Sequence, residues 1–459
     1  MSVKSLTTSV SHLAVKRILG PFWKRRRWLD KTQWLSADEL ADLQFKLLKR
    51  VIHYAERNVP YYQCLMQHYG FSSEDIRSPG DIHLFPILTK KDVMEVGDDM
   101  ISREFSKKLL HCAHTGGTTG MPLCVYRNFA SIGDEHAFVR RQWDWAQVRF
   151  GDRCAYLRGG IIKNADAPQR RFYRYDPILK ELHLSSYHLT PETIPVYIQA
   201  IEKYGVVALA GYPSAISCFA RACLARKASL PMKAVLTSSE ALTAPMSEEI
   251  SRAFACPVYD FYGSAERVCY IFTCRHGCRH IQPEYGYTEL IPVDGPGAGR
   301  CRVVATGFWN KAMPLIRYDT GDVVVKSNRL CACGRAFPVI EEVTGREGDV
   351  IRTPSGEEFG VTIMIHLLYV VCGAANVLET QFIQDALDHI TVEYVPDTAF
   401  SADAFAAAQA RFIRHLPSDI RVDFKRVRAV QRTSSGKIRP VLNLLPTATP
   451  ERVPCLEAV

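Results

Sequence analysis

The sequence predicts a two-domain α/β protein. A large N-terminal domain of parallel α/β layers with a β subdomain spans residues 1–345, and a small α+β domain spans 346–459. Three observations predict this. After Lys107, short apolar runs alternate with helix-like stretches, as buried parallel strands alternate with covering helices. From about residue 287, apolar and polar residues alternate between Gly and Pro punctuation, the mark of antiparallel strands. Beyond the polar stretch Gly345-Arg346-Glu347-Gly348-Asp349, the order strand, strand, helix, strand makes a compact second unit.

Residues 37–57 place Leu40, Leu43, Phe45, Leu47, Leu48, Val51 and Ile52 at helical spacing. Asn58-Val59-Pro60-Tyr61-Tyr62 breaks that helix, because proline disfavours helical backbone in the residue before it. Residues 206–210, 234–236 and 258–261 read as short buried strands, and 288–292, 300–306 and 323–326 as antiparallel ones. Residues 295–299 are glycine-rich but lack a strand before and a helix after, so they read as a turn. In the small domain, 380–383, 389–394 and 421–430 read as strands and 401–416 as a helix.

Composition narrows the function classes. Apolar residues make up 47% of the 459, enough for large cores, and the net charge of +9 is spread along the chain without a nucleic-acid-binding tail. The first thirty residues hold no apolar secretory core and no run is long enough to span a membrane, which makes the fifteen cysteines reduced thiols of a cytoplasmic enzyme. Lys24-Arg25-Arg26-Arg27 reads as a solvated patch at the start of a helical lead-in. The chain carries no readable oligomeric state.

Four segments carry chemistry. His114-Thr115-Gly116-Gly117-Thr118-Thr119-Gly120-Met121-Pro122 can turn backbone N–H groups and threonine hydroxyls inward around phosphate; the P-loop pattern is absent. Asp260-Phe261-Tyr262-Gly263-Ser264-Ala265-Glu266 follows an apolar strand, presenting an aromatic ring and, at the strand's exit, a carboxylate able to hold Mg²⁺ against phosphate. Arg317-Tyr318-Asp319-Thr320-Gly321-Asp322 offers a carboxylate on a tight turn, suited to ribose hydroxyls. Thr433-Ser434-Ser435-Gly436-Lys437-Ile438-Arg439 presents one ammonium for charge developing on a carboxyl oxygen and an α-phosphate.

In order and spacing these segments resemble the adenylate-forming superfamily of acyl-CoA synthetases, peptide-synthetase adenylation domains and luciferases. Residues 115–123 follow the phosphate loop [ST]-[ST]-G-T-T-G-x-P-K, with Gly116 in place of a hydroxyl residue and Leu123 in place of the lysine. Residues 262–266 match Y-G-x-x-E, 318–322 match Y-x-T-G-D, and 435–437 match the catalytic-lysine motif. Gly345, Arg346 and Asp349 match the interdomain hinge, with Gly348 at the pivot. Residues 58–62, 85–90 and 211–214 resemble the phenylacetate–CoA ligase branch, including its capsule-biosynthesis relatives.

The resemblance implies an ATP-dependent ligase that forms an acyl-AMP and releases pyrophosphate. The acyl group of an aryl or arylacetic acid would then pass to coenzyme A, or to an amine in natural-product or capsular polysaccharide biosynthesis. Thr115, Gly116, Gly117, Thr118, Thr119 and Gly120 would hold the ATP β- and γ-phosphates. Ser239, Glu240 and Ala241 would line the adenine, with Tyr262 stacked on it, and Asp260 and Gly263 belong to the same nucleotide-binding set. Ser264 would approach the α-phosphate, Glu266 would hold Mg²⁺, and Asp322 would bind the ribose with Arg346. Lys437 would bridge carboxylate and α-phosphate, and the small, mobile domain would swing about residues 348–349 to admit the acceptor. Tyr212, Tyr259 and Phe261 are candidates for an aromatic acid pocket; His111, His114 and His136 flank the phosphate loop. A non-catalytic nucleotide-binding protein is the reading of another class, and retention of Glu266, Asp322 and Lys437 together speaks against it.

Cys274-Arg275-His276-Gly277-Cys278-Arg279-His280 and Cys331-Ala332-Cys333-Gly334 supply soft ligands in two clusters. Cys274, His280, Cys331 and Cys333 suit a closed tetrahedral, structural Zn²⁺ site, with Cys278 and His276 as spare candidates. The other cysteines, Cys112 and Cys124 among them, show no pairing pattern and read as buried small apolar residues.

Overall fold

The computed structural model describes residues 21–114, 123–159, 172–293, 299–346, 350–354, 358–360, 377–398, 400–413, 416, 419–432, 438 and 441–445. Two helices open it, α1 (Phe22–Thr32) and α2 (Ala37–Asn58). Ser36 caps α2: its hydroxyl accepts from the Glu39 N–H, and the Glu39 carboxylate accepts from the Ser36 N–H at 2.9 Å. Leu40, Leu47, Leu48, Val51 and Ile52 form its buried face. Pro60 ends α2 and also starts the next helix, Pro60–Tyr69, from the first-turn position where no N–H is needed.

The basic run 24–27 is more than the solvated patch it suggested. Arg25 pairs with Asp134 at 2.8 Å and Arg26 with Asp144 at 3.2 Å, both acids lying on α3 (Phe129–Trp145), and the Arg25 guanidinium sits 3.3 Å over the Trp309 ring. Lys24 and Arg27 stay exposed.

Strands β1 (His111–His114) and β2 (Cys124–Arg127) form an antiparallel pair around residues 115–122. The two cysteines expected to be unpaired, Cys112 and Cys124, are joined there by a disulfide, because the strand pairing brings their Cα atoms to 5.6 Å. Next come β3 (Cys154–Arg158), β4 (Ala208–Gly211), helix α4 (Pro213–Ala225), β5 (Ala234–Ser238), α5 (Ala244–Phe254) and β6 (Val258–Gly263). β3, β4, β5 and β6 pair in parallel in that order, with β4 and β5 buried throughout. Strands Glu181–Ser185 and Tyr173–Asp176 extend the sheet beyond β3.

The antiparallel region follows as β7 (Tyr270–Thr273), β8 (Arg279–Ile281), β9 (Gly286–Pro292), β10 (Arg300–Gly307), β11 (Tyr318–Lys326) and β12 (Val339–Arg346). These strands do not form a separate sheet. The order β9-β10-β11-β12-β8-β7-β6 runs on into the parallel strands, making one twelve-stranded sheet among the described residues. The chain reverses between β6 and β7 at Ser264–Arg267, so β7 returns antiparallel along β6 and carries the hydrogen-bond ladder across.

β13 (Val350–Arg352) pairs with Glu358–Gly360. A separate four-stranded sheet has the order β16-β15-β14-β17, from β14 (Val377–Ala386), β15 (His389–Pro396), β16 (Arg421–Arg426) and β17 (Val441–Asn443). Helix α6 (Ala402–Ile413) packs on it through Phe412, stacked 5.5 Å from Phe382. Among the described residues, no helix is long and apolar enough to cross a membrane.

The small sheet holds one pH-sensitive contact. His389 Nδ1 lies 2.6 Å from an Asp385 oxygen and Nε2 lies 2.9 Å from an Asp423 oxygen. Two carboxylate acceptors call for two N–H donors, so the hydrogen bonds to Asp385 and then Asp423 raise the His389 pKa. A raised folded-state value adds stability that is complete below the unfolded pKa, about 6.5, and is lost as pH rises through the folded one. Proton NMR should find His389 titrating above about 6.5, and His389→Asn should remove this part of the pH dependence of the small sheet's stability.

Candidate active site and metal centre

The turn after β6 is built for close approach. A Cβ on Gly263 would meet the Phe261 and Tyr270 rings at 2.7 Å. One on Gly286 would lie 2.1 Å from the Val268 carbonyl oxygen, so only bare backbone lets 266–268 pack against β9. Arg267 takes a left-handed φ of 59°, and its N–H closes the turn on the Ser264 carbonyl at 3.3 Å.

This turn places Glu266 against β11. The buried Tyr318 hydroxyl donates to Glu266 Oε1 at 3.0 Å, and the Tyr262 hydroxyl donates to Asp322 Oδ2 at 2.7 Å. The tyrosine of each motif thus bonds the acid of the other. Burial, with the Asp322 charge second, holds the Tyr262 phenol far above its ordinary pKa, so it stays a donor. Asp322 is set by its own turn: Gly321 has φ 70°, the Thr320 hydroxyl accepts from the Asp322 N–H at 3.2 Å and donates to the Val303 carbonyl at 2.9 Å.

The remaining candidates divide. Ser264 Oγ is buried with no partner among the described residues. Ser239, at the end of β5, is exposed with φ 74°, and Ala241 is half-buried. Glu240 Oε2 accepts from the Ser214 N–H at 3.1 Å, at the start of α4. Asp260 is a strut inside the sheet: Thr237 donates to it at 2.6 Å, and burial raises its pKa. Tyr212, Tyr259 and Phe261 fall in three different apolar clusters, so their packing does not gather them into one wall. His111 and His114 are exposed at the ends of β1, and His136 is half-buried on α3. Residues 115–120, 348–349 and 437 lie outside the described residues, and Arg346 is described as backbone only.

Leu123, where the lysine was missed, is 4% exposed and packs with Val125, Leu88 and Tyr318 in the core beneath β2. The structure adds two cations that motif reading passed over. Arg127 of β2 donates to the Ala265 carbonyl, next to Glu266. Arg267 pairs with Glu135 of α3 and donates to the Ser131 carbonyl at 3.2 Å. Burial lowers both guanidinium pKa values, that of Arg267 to about 10 with the Arg127 charge as second cause. Burial, then these two charges, also lowers the His111 pKa. Their one sequence signal was position: Arg267 adjoins the Y-G-x-x-E motif and Arg127 follows the phosphate loop.

The metal-ligand set comes together. Cys274 directly follows β7, His280 lies on β8, and Cys331 and Cys333 precede β12; one ligand atom from each lies within 4.8 Å of all the others. Cys278 and His276 are not in this group. His280 Nδ1 faces the Phe337 carbonyl at 3.3 Å, so an Nδ1–H bond there leaves Nε2 to ligate, 3.5 Å from Cys333 Sγ. The His276 and Cys333 N–H groups donate to Cys274 and Cys331 sulfur at 3.4 Å. Left-handed Gly277 and Gly334 make each turn tight enough for this. Three sulfurs and one imidazole, mostly buried, fit a closed structural zinc site with no open position.

Comparison with known proteins agrees with this architecture. Residues 356–444 match the family described as the CapK C-terminal domain. The chain is 27% identical to protein CapK of Staphylococcus aureus over 364 residues, 78% of this chain and 79% of that protein. It is 23% identical to the phenylacetate–coenzyme A ligase of Escherichia coli K12 over 349 residues, 70% of this chain and 75% of the other. Its fold is that of the 2-hydroxyisobutyryl-CoA ligase solved in the post-adenylation state with an acyl-AMP, at TM-score 0.66, 18% identity and 93% coverage of each chain.

Proposed function

We propose, from its likeness to CapK and the phenylacetate–CoA ligases, that this chain is an ATP-dependent, AMP-forming carboxylic acid ligase. The observation that carries the reading is the reciprocal pairing of Tyr262 with Asp322 and Tyr318 with Glu266. It joins the adenine, ribose and metal-binding positions implied by the resemblance at one place beside the phosphate-loop strands. In the first half-reaction a substrate carboxylate oxygen attacks the ATP α-phosphorus, and the bond to pyrophosphate breaks. Positioning and charge stabilisation do most of this work. Residues 115–120 hold the pyrophosphate side, Glu266 would hold Mg²⁺, which offsets phosphate charge when bound, and Lys437 bridges carboxylate and α-phosphate. With Leu123 buried in place of a lysine, Arg127 and Arg267 add fixed positive charge beside Glu266.

In the second half-reaction a nucleophile attacks the acyl carbon and AMP leaves. Coenzyme A with an aryl or arylacetic acid is the leading assignment, following the phenylacetate–CoA ligases. An amine acceptor is the second assignment that the resemblance implies, and it is tested beside CoA. We assign Zn²⁺ to Cys274, His280, Cys331 and Cys333 as a structural ion that takes no part in the chemistry.

Pyrophosphate release across a panel of aryl, arylacetic and hydroxy acids tests the reading. Wild type should respond to at least one acid, and Lys437→Ala should lose about 10²–10³-fold of that rate. Silence of the wild type across the panel, or full release by Lys437→Ala, would overturn it. Mass analysis of products with CoA, hydroxylamine or amines present identifies the acceptor.

A further inference from the structure

The small sheet grips two segments outside it in the same way. Gln381 and Gln384, both fully buried on β14, point to opposite faces of that strand. The Gln384 side chain accepts from the Arg352 N–H at 3.0 Å and donates to the Arg352 carbonyl at 2.6 Å. Gln381 does the same to Gln431, accepting from its N–H and donating to its carbonyl, both at 3.1 Å. A buried amide is costly unless its donors and acceptor are met, and each glutamine meets them by acting as an extra strand for a peptide unit. One gripped segment follows the hinge sequence 345–349; the other immediately precedes the motif that carries Lys437.

Glu379 adds a second hold. It shares the Gln381 face and forms an ion pair with Arg432, the two side chains 7% and 11% exposed. Burial raises the Glu379 pKa, and the Arg432 charge opposes that rise. Arg432 in turn makes a backbone bridge to Ile438, closing the neck of residues 433–437. Lys437 directly precedes Ile438 in the chain. β14 and Arg432 also touch the large domain: Arg221 of α4 donates to the Val377 carbonyl at 2.9 Å, and the Arg432 guanidinium is 6.0 Å from the Tyr187 ring.

We propose that Gln381 and Glu379 are positioning residues for Lys437, holding the neck of its loop rigidly to the strand that also holds the hinge-side segment. The role rests on the ligase reading above. It places their effect in the half-reaction that uses Lys437, because a lysine displaced by about 1 Å is enough to cost about 10²-fold. The half-reaction that consumes a preformed acyl-AMP does not use that contact.

The test uses the full chain with Gln381→Met, Glu379→Gln and Glu379→Asp, beside Lys437→Ala. Phenylacetate-dependent ATP–pyrophosphate exchange reports the first half-reaction; transfer of synthetic phenylacetyl-AMP to CoA reports the second. Gln381→Met and Glu379→Gln should lose about 30- to 100-fold of the exchange rate, with the KM for ATP and the transfer rate within about two-fold of wild type. Glu379→Asp should recover part of the loss, and hydrogen exchange at residues 428–432 should rise while β15 stays protected. Variants that keep wild-type exchange, or that lose both half-reactions equally, would overturn the positioning role alone. A wild type that catalyses neither step with any acid of the panel above would remove the role together with its premise, an outcome read from the wild type itself.

Discussion

Replacing Arg141 by alanine is expected to destabilise the large domain by about 3–5 kcal/mol, the cost of stranding a buried charge. Arg141 on α3 is 1% exposed and its partner Glu284 is 0% exposed. The guanidinium donates to both Glu284 oxygens, at 2.7 and 3.1 Å, and to the Gln282 side-chain oxygen at 2.5 Å. Thr32 at the end of α1 donates to the same carboxylate at 2.9 Å, and the Gln282 amide donates to the His280 carbonyl at 2.8 Å. One ion pair therefore ties α1, α3 and the end of β8, the strand that carries His280. Its desolvation cost is large, so the intact pair adds little net stability, whereas losing one partner leaves the other unsatisfied. Urea midpoints followed by tryptophan fluorescence should fall sharply for Arg141→Ala and recover in Arg141→Met/Glu284→Gln. A change in Arg141→Ala smaller than about 1 kcal/mol would show that the network relaxes around the gap.

The purified chain is expected to carry one equivalent of zinc, and Cys333→Ser to lose it. Structural zinc sites bind with apparent free energies of about 10–16 kcal/mol in finger peptides, energy that is available to folding. The knuckle here joins β7, β8 and the approach to β12, and Arg335 beside it donates to Gln33 at 2.9 Å while stacking 4.0 Å over Trp145. Losing the ion should lower the melting temperature of the large domain and free this corner from α1. Elemental analysis with a thiol-competent chelator measures the ion, and thermal unfolding measures its effect. Purified wild type that carries no zinc, or a wild type whose melting temperature is unchanged when the chelator removes its zinc, would refute the assignment.

Much of the fold was legible because it rests on local patterns. The α2 periodicity, the Ser36–Glu39 cap and the apolar runs of β4, β5 and β6 each report burial or end chemistry within a few residues. The cluster of Cys274, His280, Cys331 and Cys333 was legible for a similar reason: each pair sits on its own short turn with a glycine, and cysteine and histidine together are conspicuous. What misled was a basic run read without its partners. Arg25 and Arg26 look solvated until α3 is placed beside them with Asp134 and Asp144. Likewise Cys112 and Cys124 showed no pairing until β1 and β2 were set in register.

By itself, then, the sequence determined the order of the motifs, the residue types at the candidate nucleotide and metal positions, and which stretches are buried. Those properties follow from side-chain chemistry and short-range periodicity. Only the tertiary structure decided that Tyr262 bonds Asp322, that Tyr318 bonds Glu266, that Arg127 meets the Ala265 carbonyl and Arg267 meets Glu135, that Leu123 is buried, and that Gln381 bonds the Gln431 backbone. These partners lie tens of residues apart or more. Their meeting depends on strand register and on the reversal after β6, and a polar side chain does not show in sequence which distant group will satisfy it once water is excluded.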